Sequence, residues 1–228
     1  MFSIVVPIFN ESENIKFLLE EISKSLNRYK SYEIVIVNDA STDNSLKILR
    51  SKNYKFLKII NNNINKGQSY SIRKGIENTS NKIIITIDGD GQNDPADIPK
   101  LLEIYNSSNK IKLIGGIRTK RKDKYIKVIS SKLANFIRSK ILDDQCKDTG
   151  CSLKIFDKDI FLNFPYFNGI HRFLPALFKG YGYTTKFVEV NHRKRKYGVS
   201  KYGTMNRLFV GIRDIFKVMK IIKNKNLI

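Results

Sequence analysis

The run Ile83-Ile84-Ile85-Thr86-Ile87 limits the folds open to this chain more than any other segment. Successive strand residues point to opposite faces of a sheet, so a run that is apolar throughout predicts a central strand covered on both sides. This strand is expected over 82–88. Further β-branched or apolar runs at 2–9, 33–39, 56–61 and 112–117 read as its companions. Helical patterns at 12–28, 43–52, 68–78 and 95–107 lie between them, with Asp43 placed to cap the second and Pro95 suited to the first turn of the fourth. Such alternation predicts an α/β fold with a mainly parallel central sheet flanked by helices. At 228 residues the chain has the length of one domain.

The second half is less regular. A basic helix is expected at 124–142, with Ile126, Ile129, Leu133, Ile137 and Ile141 on one side. A late strand follows at 185–190. A second basic helix at 204–223 carries Leu208, Phe209, Ile212, Ile215, Phe216 and Met219 along one stripe. Basic helices with one apolar stripe fit a membrane interface and fit docking on a protein core equally well.

Charge is unevenly placed. Of the net +21, residues 118–140 supply nine cations against one anion, and residues 191–228 supply eleven against one. This localisation points to an anionic partner, for which nucleic acid, an anionic membrane and phosphorylated substrates are all candidates. The two cysteines, Cys146 and Cys151, are too few for a zinc site or a disulfide framework and read as reduced thiols of a cytoplasmic protein. No basic stretch precedes the first apolar run, and none approaches the ~20 apolar residues of a spanning helix, so the chain is not expected to cross a membrane by itself.

In parallel α/β sheets ligands bind at the carboxyl ends of the strands. Here the first strand ends in Pro7-Ile8-Phe9-Asn10-Glu11, the second in Val37-Asn38-Asp39-Ala40-Ser41-Thr42-Asp43, and the fourth in Asp88-Gly89-Asp90-Gly91-Gln92-Asn93-Asp94-Pro95. Two carboxylates separated by one glycine can converge on a hard divalent cation, Mg²⁺ or Mn²⁺, leaving positions open for a substrate diphosphate. The cation would act as a Lewis acid on that leaving group. An ordinary Asp/Gly turn is the competing reading, although this one is acidic within a basic protein and follows the most apolar strand. His171, His192, Tyr181, Tyr183 and Phe187 read as packing or surface residues, and Asp94 and Asp97 as helix-start residues.

Taken in order, Pro7–Glu11, Asn38–Asp43 and Asp88–Gln92 resemble the inverting family 2 glycosyltransferases of GT-A fold. The stretch Lys66-Gly67-Gln68 to Arg73-Lys74-Gly75 looks like that family's glycine-containing segment, and the likeness covers about residues 3–120. Arg118, then Asp148-Thr149-Gly150-Cys151, then Arg195-Lys196-Tyr197-Gly198-Val199-Ser200-Lys201-Tyr202 resemble the polyprenyl-phosphate branch, in which the dolichol-phosphate mannosyltransferases fall. The chain departs from the pattern where relatives often have a second acid (Asn38) and a glycine (Ala40).

The resemblance implies a single glycosyltransferase domain, with a nucleotide-sugar and metal-binding half at 1–117 and an acceptor and membrane-facing half at 118–228. Pro7, Asn10, Glu11, Asp39, Lys66, Gly67 and Asp88 are expected around the nucleotide sugar, and Asp88, Asp90 and Gln92 around Mg²⁺ or Mn²⁺. Asp90 and Asp148 are the expected catalytic residues, Asp148 as a base or as a carboxylate that orients the acceptor. Arg118, Arg195, Ser200 and Lys201 are expected near phosphates. The implied reaction moves a hexose, mannose from GDP-mannose or glucose from UDP-glucose, to a polyprenyl phosphate at the cytoplasmic face of a membrane. Relatives often carry transmembrane helices after the catalytic domain, so peripheral attachment or a small integral membrane partner is expected. A cell-surface polysaccharide is the alternative acceptor. A nucleic-acid-binding protein leaves Asp88 and Asp90 unexplained. A dinucleotide-dependent oxidoreductase lacks its glycine-rich turn after the first strand.

Overall fold

The computed structural model describes residues 1–51, 54, 56–119, 135–195, 197 and 204–225, excepting the side chains of 204–210. The strands are β1 (Phe2–Ile8), β2 (Glu33–Asn38), β3 (Leu57–Asn61), β4 (Ile83–Thr86), β5 (Ile111–Arg118), β6 (Lys154–Asp157) and β7 (Thr184–Val190). They form one sheet in the order β3-β2-β1-β4-β6-β5-β7. The apolar run at 83–87 thus lies at the middle of the sheet. β6 runs antiparallel to both neighbours, β4 and β5. The other pairings are parallel.

Helices cover both faces. They are α1 (Ser12–Ser25), α2 (Ser45–Ser51), α3 (Gln68–Glu77), α4 (Ile98–Asn106), α5 (135–142 within the described residues), α6 (Lys158–Asn163), α7 (Leu174–Gly180) and α8 (Thr204–Lys223). Alternation along β1 sends Ile4, Val6 and Ile8 into one core with Ile15, Leu18 and Ile22 of α1 and Leu101 of α4. Val5 enters the other core with Ile72 and Ile76 of α3 and Phe156, Phe161 and Phe178. β4 does the same, Ile85 to the first core and Ile84 to the second, which is why its sequence shows no polar alternation. Burying each such aliphatic side chain contributes about 1.5–3 kcal/mol. α3 lies close on the sheet because Gly75 has no side chain; a Cβ there would meet Val5 Cγ1 at 2.5 Å.

β6, α6 and α7 are absent from the sequence reading. β6 has only four residues and opens with a charged one, Lys154, so it carries too little periodicity to register. Pro95 starts a 3₁₀ turn, Pro95–Asp97, before α4 begins, and Asp94 caps that turn by accepting from Ala96 N at 3.0 Å. The stripe expected on 204–223 is split. Ile215 and Val218 are buried, whereas Ile212, Phe216 and Met219 face outward. Leu208 and Phe209 lie outside the described side chains, and Ile126, Ile129 and Leu133 outside the described residues.

The topology gathers the polar segments. Parallel strands present their carboxyl ends at one edge of the sheet, and antiparallel β6 presents its amino end there. The segments after β1, β2, β3, β4, β5 and β7, and the one before β6, therefore converge.

Candidate active site

The β1 and β2 loops are stitched together first. Asn10 and Ala40 both adopt left-handed backbone, with φ of 53° and 58°. Asn tolerates this conformation and Ala does so at some cost. Asn10 Oδ1 accepts from Thr42 N at 2.7 Å, and Asn10 N donates to Ser41 Oγ at 2.9 Å. Glu11 N donates to Ser45 Oγ at 3.0 Å. The Asp43 carboxylate accepts from Ser45 N at 2.9 Å and Ser12 N at 3.1 Å, so it caps the starts of both α2 and α1. Partial burial works against its charge, but these hydrogen bonds win and hold the carboxyl below its ordinary range.

Asp39 organises the next loop. Its Oδ1 accepts from Asn62 Nδ2 at 2.7 Å and Lys66 N at 2.9 Å, and its Oδ2 accepts from Gly67 N at 2.7 Å. These donors occupy three of about four acceptor positions on a carboxylate. Gly67, with φ of 84°, supplies the left-handed turn that leads into α3. Lys66 Nζ lies 4.5 Å from the Tyr70 ring centre. Pro7, at the end of β1, lines a small cavity with Gln68, Asp88, Ser152 and His171.

After β4 the chain turns sharply. A Cβ on Gly89 would sit 2.6 Å from Ile8 Cγ2, so only glycine lets this turn lie against β1. Gly91 has φ of 71°. Asp88 Oδ1 accepts from Gln68 Nε2 at 2.7 Å, and Asp88 N donates to Ser152 Oγ at 3.1 Å. Asp90 Oδ1 accepts from Gln92 N at 3.1 Å. Burial and then the charge of Asp90 push the Asp88 carboxyl up to about 6. Asp90 is also raised, by burial first and with Glu11 adding to the repulsion. Two crowded carboxylates that resist ionisation are what a divalent cation relieves. Among the described residues no three His, Cys, Asp or Glu side chains form a ready cage. The pair has the chemistry of a Mg²⁺ or Mn²⁺ site, since these ions take one or two carboxylates and complete their shell with phosphate and water. The Gln92 side chain donates through Nε2 to Arg193 O, at 3.4 Å, a bond that does not involve its Oε1.

Arg118, at the end of β5, and Asp148, ahead of β6, form a two-pronged pair. Arg118 Nε donates to Asp148 Oδ2 and Nη2 to Oδ1, both at 2.7 Å, and Arg118 N reaches Oδ2 at 3.1 Å. Gly150 makes room, since a Cβ there would lie 2.8 Å from Arg118 Nη2. Cys146 and Cys151 are separate, buried thiols. Burial pushes the Cys151 thiol up to about 11.

The segment after β7 straps down the Asp88–Gln92 loop. Asn93 and His192 form an isolated bridge, and Arg193 N donates to Gln92 O at 2.9 Å. The Arg193 guanidinium reaches Glu21 Oε2 at 2.7 Å and Asp94 Oδ1 at 2.5 Å. Asn191 N donates to Asp97 Oδ2 at 2.7 Å, a second task for that helix-start residue. Arg195 pairs with Glu11 and lies 3.7 Å from Asp90 Oδ2. Ser200 and Lys201 lie outside the described residues.

Gln68, Ser152 and Arg193 were not singled out for the site by the sequence. Gln68 stands inside a noted stretch and opens α3, but Ser152 and Arg193 carry no signal apart from the tertiary fold. His171 pairs with Ser69 Oγ at 2.7 Å. Burial, with Arg172 and Lys154 nearby, pulls His171 down to about 3, so the ring is neutral at physiological pH.

Relatives were found by sequence and by structure. The family model described as glycosyl transferase family 2 matches residues 3–163. The chain is 35% identical to the dodecaprenyl-phosphate galacturonate synthase of Rhizobium johnstonii, over 98% of this chain and 68% of that protein. It is 32% identical to the undecaprenyl-phosphate 4-deoxy-4-formamido-L-arabinose transferase of Proteus mirabilis, over 88% of this chain and 62% of that protein. Among solved structures, glucosyl-3-phosphoglycerate synthase from Mycobacterium tuberculosis, in complex with Mn²⁺, UDP and glucosyl-3-phosphoglycerate, superposes with a TM-score of 0.72. That match is 15% identical and covers 96% of this chain and 78% of the other, which speaks to the fold alone. The mostly parallel sheet, the flanking helices and these neighbours make the fold GT-A. With its acidic turn on the central strand and a family match over most of its length, the chain belongs to glycosyl transferase family 2.

Proposed function

We propose that this chain transfers a sugar from a nucleotide-diphosphate donor to a polyprenyl phosphate at the surface of a membrane. The observation that carries the reading is the meeting, at one sheet edge, of the Asp88/Asp90 pair with Arg118, whose charge favours both carboxylates, and Arg195, 3.7 Å from Asp90. The acidic pair suits a cation bound to a diphosphate, and the two guanidiniums suit phosphate. The names of the relatives support a polyprenyl-phosphate acceptor. They carry galacturonate and a formamido-arabinose, so the sequence-based expectation of mannose or glucose gains no support from them.

A polyprenyl phosphate oxygen attacks the anomeric carbon as the bond from that carbon to the donor's diphosphate breaks, and the diphosphate leaves with the electron pair. Mg²⁺ or Mn²⁺, when bound, neutralises charge on that leaving group. Asp88 and Asp90 would hold the cation, Gln68 orients Asp88, and Asp39 keeps the Lys66–Gly67 turn in shape for the nucleotide. A phosphate needs little help from a base. Asp148, with both oxygens engaged by Arg118, serves in this reading to aim the guanidinium at phosphate.

The outward apolar residues support membrane attachment. α5 is pinned inward by Arg138, which pairs with Asp144, and by buried Leu142, while Phe136, Ile137 and Ile141 face out. On α8, Ile212, Phe216 and Met219 lie among exposed Arg213, Lys217, Lys220 and Lys223. Apolar side chains interleaved with cations suit an anionic bilayer, where each cation contributes on the order of 1 kcal/mol. Among the described residues no helix is long and apolar enough to cross a membrane.

The test is transfer of labelled sugar into organic-extractable lipid. The chain is supplied with Mn²⁺, a short polyprenyl phosphate, and UDP-galacturonate, UDP-glucose or GDP-mannose in turn. Label in the lipid with one donor is expected. Transfer to a water-soluble acceptor with none to the lipid would overturn the assignment.

A further inference from the structure

Arg195 is shared among three acceptors. Its Nη2 bonds Glu11 Oε1, its Nη1 lies 3.7 Å from Asp90 Oδ2, and its Nε donates to Tyr197 O at 2.8 Å. The guanidinium therefore neutralises carboxylates of both the β1 and β4 loops. The side chains of Arg195 and Asp90 are only 18% and 17% exposed, so water does little of that work. A divalent cation on Asp88 and Asp90 calls on the same Asp90 charge, and two cations crowded on one carboxylate repel. Arg193, two residues earlier, has no such conflict, because Glu21 and Asp94 hold it away from the pair. It anchors the strap.

We propose that Arg195, bonded to Glu11 and 3.7 Å from Asp90, is a counter-ion that competes with the metal for the Asp90 charge and is released toward an incoming phosphate when the metal binds. The inference rests on Asp88 and Asp90 being the metal ligands. It goes further by making Arg195 a competitor of the metal as well as a phosphate ligand, so that occupancy of one site readies the other.

Binding of Mn²⁺ alone to the whole chain, read from the electron paramagnetic resonance of free Mn²⁺, tests it. Arg195→Gln removes the competitor and is expected to tighten Mn²⁺ by about tenfold. Arg195→Lys keeps the charge and is expected to stay near the wild type. Asp90→Asn should abolish binding. Unchanged or weaker Mn²⁺ binding in Arg195→Gln, with Asp90→Asn still abolishing it, overturns the counter-ion role and leaves the metal ligands standing. Absence of Mn²⁺ binding in every form removes the ligand assignment and the inference together. A second measurement needs no variant to fold well: in the wild type, the arginine Nε resonance of Arg195 should shift on addition of Mg²⁺. A resonance that does not move overturns the proposal.

Discussion

Gln68, the first residue of α3, donates its side-chain amide to Asp88 Oδ1 at 2.7 Å and so fixes one proposed metal ligand from a separate helix. Partners behind a ligand typically matter 10–100-fold for affinity or activity. Gln68→Ala should weaken Mn²⁺ binding by about tenfold with little change in melting temperature. Unchanged affinity would leave the contact without a part in metal binding.

Asp88 exchanges stability for function. Its carboxyl is harder to ionise folded than unfolded, so its charge costs stability at neutral pH and costs nothing once the pH falls below the ordinary carboxylate range. Asp88→Asn should therefore raise the stability of the metal-free chain at pH 7, by on the order of 1 kcal/mol, while transfer falls to background. Denaturation at pH 7 and pH 4 checks the sign: the gain should be present at the higher pH and shrink at the lower. A loss of stability at pH 7 would contradict the electrostatic account.

Arg118 and Asp148 should behave as one unit. If Asp148 acts only by aiming the guanidinium, Arg118→Ala combined with Asp148→Ala will be no worse in transfer rate than Arg118→Ala alone, since nothing is left to aim. If Asp148 acted independently as a base, the two losses would multiply. A double-mutant cycle decides between them.

Ala40 sits at φ of 58°, where a side chain is strained. Ala40→Gly relieves about 1 kcal/mol of strain and loses part of that to the freer unfolded chain. A net gain of about 0.5 kcal/mol in denaturant unfolding is expected. A clear loss would mean that the methyl group packs usefully.

Phe136 and Phe216 are 61% and 66% exposed, so neither supports the core. Replacing both with Ser should leave the melting temperature nearly unchanged. Sedimentation with anionic liposomes should fall at least about tenfold, given about 1.5–3 kcal/mol for each large apolar side chain buried. Full retention of liposome binding would assign attachment to another surface.

The first half was legible because its signals are local. The 83–87 run predicted a central strand, and β4 occupies the middle of the sheet. The turns after β1, β2 and β4 declared themselves through Asn10, Asp39 and Asp88, residues whose types suit the ends of parallel strands. Asn38, which stands where relatives often have an acid, has a partner of its own: its amide donates to Asn61 Oδ1 at 2.6 Å, across to the end of β3. The second half was less legible because its meaning lies in contacts over long distances. Ser152 supports Asp88 from 64 residues away, and Arg195 reaches Glu11 across 184. The two faces of α8 could not be told apart, since Ile215 and Phe216 look alike in sequence and differ only in what lies beside them.

The antiparallel strand β6 bears on how chains of this kind can be recombined. It enters between β4 and β5, so the sheet interior is closed by a piece of the second half. A chimera joined at residue 117 would take β6, and Ser152 with it, from the other parent. Its donor chemistry would then depend on foreign residues behind Asp88. Cutting the chain there would uncover one side of β4, an open row of backbone groups prone to self-association. Exchange of acceptor preference between relatives is thus better sought by grafting the segments around Asp148 and Arg195 than by swapping halves.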